Sequence, residues 1–169
     1  MKKIILTLIC LLAFGFSNAQ NFKGHASGTI GFLNPKIRLQ YEHPLGSIYS
    51  TGANLNYYMV NWKGPIIEPF LRWYVADSNA SGGFFQAKAG YGNLSSLDES
   101  KNWSTYGGGI AWGYKYAKSS GFTIEPIVGL RIYSAPQDEQ TIGDVVENVG
   151  WAVTTGLPID FQLKFGYQF

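Results

Sequence analysis

The chain has 169 residues, of which 16% are aromatic, 21 are glycine and only 14% are charged, with 13 basic against 11 acidic side chains. So few charges beside so many aromatics and glycines point to an all-β protein rich in turns, and so even a charge balance argues against nucleic acid as a partner.

The first element is an export signal. Lys2 and Lys3 form a basic start, Ile4 to Phe16 an apolar run, and Ser17-Asn18-Ala19 a cleavage site of small residues. This pattern predicts a secretory signal peptide over residues 1–19 and one domain over 20–169. A membrane anchor needs ~20 apolar residues, more than this run supplies. Cys10, the single cysteine, follows bulky Leu8 and Ile9, which does not suit lipoprotein processing. Past the cleavage site no cysteine remains and the basic and acidic residues number 11 each. Disulfides and thiolate metal sites are therefore not expected.

Beyond residue 20 the pattern is two-residue alternation, the signature of strands with two unlike faces. Eight segments follow in order, near 24–33, 36–43, 47–60, 66–76, 83–94, 104–118, 122–134 and 157–169. Asn34-Pro35, His43 to Gly46, Asp77 to Gly83 and Ser119-Ser120-Gly121 punctuate them. Connections after the second, fourth and sixth segments are compact. Those after the third, fifth and seventh read as longer, the last running from Ala135 to Gly156. Short turns on one side and longer loops on the other suit an eight-stranded antiparallel transmembrane β-barrel of the outer-membrane type.

The two faces differ in content. One carries Ile30, Leu39, Tyr41, Leu55, Leu71, Trp73, Phe85, Trp112, Tyr114 and the alternate residues from Leu157 to Phe169. The other carries Gly52, Gly90, Gly92, Gly107, Gly109, Gly113 and Gly129 with Arg38, Glu42, Glu68, Arg72, Lys88, Lys115, Glu125, Arg131, Asp160 and Lys164. Side chains just fill the interior of an eight-stranded barrel, which suits the glycine-rich face. The bulky face then meets lipid, where a Lys or Arg at mid-depth costs ~2–4 kcal/mol. Tyr41, Tyr49, Trp73, Phe85, Tyr114, Tyr116, Phe122, Tyr167 and Phe169 gather near the compact turns and the C-terminus, as an interfacial girdle should.

The chain closes on Phe161-Gln162-Leu163-Lys164-Phe165-Gly166-Tyr167-Gln168-Phe169. This resembles the C-terminal assembly signal of outer-membrane barrels, and the resemblance implies that Phe165, Tyr167 and Phe169 are read by the barrel-assembly machinery. Ile67 to Tyr74, Gly82 to Phe85 and Gly107 to Tyr114 are similar to stretches of the small Bacteroidota barrels of domain-of-unknown-function 3575. The similarity covers residues 66–133, and it implies a barrel without assigned chemistry. The Asn-Ala-Gln junction suits the same bacterial group.

Candidate chemistry is sparse. His25 and His43 are the only histidines and neither falls near the longer loops, so neither hydrolysis nor a transition-metal site is expected, and no cofactor. Asp138, Glu139, Asp144 and Glu147 in the last loop match no calcium-loop spacing. The inward charges are the remaining candidates. Glu68, Arg72, Glu125 and Arg131, counted from the compact turns, predict the pairs Glu68–Arg131 and Arg72–Glu125, with Lys88, Lys115 and Lys164 sharing the carboxylates. The network reads either as a charge-paired plug or as a selectivity filter. The sequence thus predicts a non-enzymatic barrel of the cell outer membrane. Its expected partners are outer-membrane lipid, the assembly machinery and another outer-membrane protein. A narrow conduit for small molecules, and a surface-binding barrel acting through its loops, are the alternatives.

Overall fold

The computed structural model describes residues 24–31, 36–59, 62–75, 81–96, 102–134 and 159–169. The export signal, Asn34-Pro35 and the acidic loop from Ala135 to Gly156 lie outside the described residues.

Eight strands close into one antiparallel barrel in sequence order: β1 (His25–Gly31), β2 (Lys36–Pro44), β3 (Tyr49–Tyr58), β4 (Trp62–Tyr74), β5 (Gly82–Ser96), β6 (Asn102–Ala117), β7 (Phe122–Tyr133) and β8 (Ile159–Gln168). Gly24 and Phe169 lie at one end, here called the terminal end; the opposite end is the far end. Closure comes from β1 against β8, His25 to Gly28 opposite Gln168 to Phe165. Two backbone hydrogen bonds between Gly24 and Phe169, 3.0 and 2.9 Å, extend that seam to the last residue. The connections after β2, β4 and β6 lie at the terminal end. Gly46 (φ 134°) and Gly121 (φ 88°) supply the left-handed backbone that two of them require.

β4 begins at Trp62, four residues before the start expected from sequence, and leaves only 59–61 as the connection after β3. Gly64-Pro65 has the composition of a turn yet lies within the strand. Gly64 is at φ 144°, and an added Cβ there would run into the backbone of Asn93. The β4–β5 ladder is interrupted beside Pro65 and again beside Pro69, and the β6–β7 ladder beside Pro126. A proline has no N–H to give a ladder, so each keeps full pairing on its other side only.

Period-2 burial holds along every strand, and it sorts side chains as their parity predicts. On the outer wall, Leu39 (58% exposed), Trp73 (47%), Ile110 (65%) and Phe161 (66%) stand among many large apolar side chains facing out. Inside lie the charges, together with a set of aromatics that the sequence assignment of faces omitted: Tyr58, Phe70, Tyr74 and Phe84. They fit because glycines sit opposite. Gly52 faces Phe70, Gly113 faces Phe84 and Gly90 faces Tyr133, each so closely that a Cβ would collide. Tyr74, Phe84, Ala111 and Ile127 pack together toward the terminal end, and Tyr58, Ile66 and Leu94 toward the far end.

Candidate functional site

Between and around these apolar clusters the lumen holds charge in two layers. Among the described residues, buried Lys36, Arg38, Arg72, Lys88, Lys115, Arg131 and Lys164 face buried Glu42, Glu68, Glu125 and Asp160. All inward members of the network expected from sequence are therefore brought into one lumen. Arg38 and Glu42 join them as central members.

The terminal-end layer is built on Arg72 of β4. Its Nη1 donates to Glu42 Oε2 (2.7 Å) and Glu125 Oε1 (3.2 Å), and its Nη2 to Glu125 Oε2 (3.1 Å). Nε donates to Gln86 (2.9 Å), and the guanidinium lies 4.1 Å over the Phe84 ring. Fork-on-fork pairing of this kind is the strongest geometry available to a carboxylate. Lys115 adds a 2.9 Å bond to Glu42, while Ser50 and Tyr74 each donate to Glu42 Oε1 at 2.6 Å. The expected pair Arg72–Glu125 is formed.

His25 completes this layer, which its position at the start of β1 did not suggest. Its Nδ1 lies 3.3 Å from Glu42 and 3.6 Å from Glu125, and its Nε2 2.7 Å from Thr123 Oγ1. A hydroxyl, an imidazole and a carboxylate in series have the order of a nucleophilic relay. Here all three side chains are fully buried, and both carboxylates are engaged by Arg72 and Lys115. His25, Glu42 and Glu125 also offer donor atoms within 4.8 Å of one another. The two cations already balance the two carboxylates there, so a divalent ion would bring excess charge. The signal for the group was the inward parity of His25, which stands opposite Glu42 in the β1–β2 register.

The far-end layer is assembled differently. Glu68 accepts from Tyr133 (2.7 Å) and lies 3.4 Å from Lys88 and 3.7 Å from Arg38. Asp160 takes Lys88 at 2.6 Å and Gln162. Arg131 donates to the Tyr58 hydroxyl at 3.1 Å, so the expected pair Glu68–Arg131 is replaced by Glu68–Lys88 and Arg131–Tyr58. β7 does reach Glu68, but through Tyr133, one inward position beyond Arg131. Lys164 sits between the layers and donates to Gln40 and, at 3.4 Å, to Asn54. Lys36 lies 5.1 Å over the Tyr58 ring.

Phe165, Tyr167 and Phe169 form no part of the lumen. All three face outward, Phe165 and Tyr167 on β8 and Phe169 just after it, 49–55% exposed, with Phe165 opposite Gly28 and Tyr167 opposite Ala26 across the seam.

No protein-family model, no curated protein and no solved structure matches this chain. The resemblance to the domain-of-unknown-function 3575 barrels accordingly rests on the stretches quoted within residues 66–133.

Proposed function

We propose that the chain is a non-enzymatic outer-membrane barrel, a structural or accessory component of the cell envelope whose lumen is closed by its own charge-paired plug. One observation carries the membrane reading. Among the described strand residues, Lys63 is the only charged side chain on the outer wall, and it stands at the far rim. A soluble monomer seldom exposes an apolar patch above roughly 300–600 Å²; here the apolar surface encircles the barrel. Outward apolar side chains on β7 run from Phe122 to Ile132. At ~3.3 Å per residue and a tilt of about 40° that is roughly 25 Å of height, the thickness of the apolar band on outer-membrane barrels. Aromatics border it at both levels: Tyr41, Trp73, Phe85 and Tyr167 toward the terminal end, and Tyr57, Tyr91 and Tyr106 toward the far end. The same band supplies the lipid partner, and the C-terminal series the handle for the assembly machinery.

The test is electrophoretic. Folded barrel should migrate differently before and after boiling and should require detergent to stay in solution. A protein soluble without detergent, or one with a single mobility, removes the membrane reading. Deleting Phe169, which also ends the β1–β8 seam, should lower assembly yield more than deleting a loop residue. The filled lumen predicts no stable conductance above control membranes; uniform steps would favour the conduit instead.

A further inference from the structure

The two layers do not carry the same charge. Arg72 and Lys115 balance Glu42 and Glu125 at the terminal end, whereas the far-end layer and Lys164 hold three more cations than carboxylates among the described residues. The excess centres on Arg38, which is fully buried. Its Nε donates to Asn56, but Nη1 and Nη2 have no hydrogen-bond partner. The nearest carboxylates are at 3.7 Å (Glu68) and 4.0 Å (Asp160), and each is already engaged, Glu68 by Tyr133 and Asp160 by Lys88.

We propose that the far-end layer is a binding site for a small oxyanion of phosphate or carboxylate chemistry, held by Arg38, Lys36 and Arg131. The three cations converge on one stretch of β3. Arg38 meets Asn56, Lys36 lies over the face of Tyr58, and Arg131 donates to the hydroxyl of the same ring. Lys36 and Arg131 keep 6% and 5% exposure, with Arg38 wholly enclosed. Buried guanidinium donors left unsatisfied are costly, and a planar fork of N–H groups matches an oxyanion in shape as well as in charge. A water molecule would satisfy the donors but not the charge. The site lies within the lumen and does not depend on what surrounds the outer wall.

The experiment uses the folded full-length protein, in non-ionic detergent where it requires one, at pH 7 and constant ionic strength. Inorganic phosphate replaces chloride stepwise, and unfolding is followed at each step. Wild type should gain stability along a saturable curve. The folded-to-unfolded ratio should rise roughly tenfold at ten times the dissociation constant. Arg38→Gln should abolish the saturable rise, and Lys36→Met should shift the curve to higher phosphate. Should Arg38→Gln fail to fold, Lys36→Met still decides, because that side chain stands at the first residue of β2 and rests on a ring face. A rise without saturation, or one identical in wild type and Lys36→Met, is a general salt effect and overturns the site.

Discussion

Arg38 and Arg72 are the same residue type, both fully buried and both inward-facing on barrel strands, yet they are in opposite condition. Every nitrogen of Arg72 is spent on an acceptor, in a layer whose charges cancel. Arg38 satisfies one nitrogen, in a layer with surplus cations. Burial alone therefore says little about what a charge contributes. The state of its partners decides whether it binds the barrel together or waits for something to bind.

The largest effect should come from breaking the balanced layer. Arg72→Met strands Glu42 and Glu125 in the lumen, and removal of one partner from a buried ionic group costs about 3–5 kcal/mol. Adding Glu125→Gln to that variant should restore part of the loss, since fewer buried charges are then uncompensated. Denaturant unfolding of the folded protein measures both. A double variant no better than the single one would show that the layer is not held by this pair.

The next effect probes how the lumen fits its aromatics. An added Cβ at Gly90 meets the ring and hydroxyl of Tyr133, whose bond to Glu68 is 2.7 Å. Gly90→Ala should destabilise by about 1–3 kcal/mol, the usual range for overpacking, and most of that cost should vanish in a Tyr133→Ala background. Full additivity would show that the ring moves aside freely.

Most of the fold was legible because alternation survives in every strand and because the two faces differ so strongly in charge. The start of β4 reads near 66 rather than 62, since the strand runs through Gly64-Pro65 with an interrupted ladder. The inner aromatics are assigned to neither face from sequence, although Phe70 and Tyr74 share parity with Glu68 and Arg72 on β4 and Phe84 with Lys88 on β5. The site was legible in membership and only partly in pairing. Heights counted from turns place Arg72 and Glu125 together correctly. They misplace Glu68 by one inward position, because strand tilt moves a partner on β7 from Arg131 to Tyr133. His25 escaped because strand ends read as turn-proximal, while the closing seam draws this one inside.

That correction has its own test. A double-mutant cycle on Glu68→Gln and Lys88→Met should give a coupling of about 0.5–3 kcal/mol, the range for residues that share a network. The cycle on Glu68→Gln and Arg131→Met should be additive to within about 0.5 kcal/mol. The reverse result would restore the pairing counted from the turns.

The smallest effect is the most discriminating. Arg38→Met removes a buried charge, as Arg72→Met does, but the residues left behind differ. Glu68 keeps Tyr133, Lys88 and Asn54; Asp160 keeps Lys88 and Gln162; only Asn56 loses a direct bond. One neutral–charged hydrogen bond is worth about 1.5–3 kcal/mol at most, and relief of two unsatisfied donors and of crowding among cations offsets it. The net change should fall within about 1 kcal/mol of zero when measured in phosphate-free buffer, where the proposed anion cannot contribute. In saturating phosphate the same substitution should become clearly destabilising, because wild type alone gains the bound ion. A loss as large as that of Arg72→Met in phosphate-free buffer would mean that the long contacts to Glu68 and Asp160 already hold the far-end layer, and the contrast between the two arginines would fail.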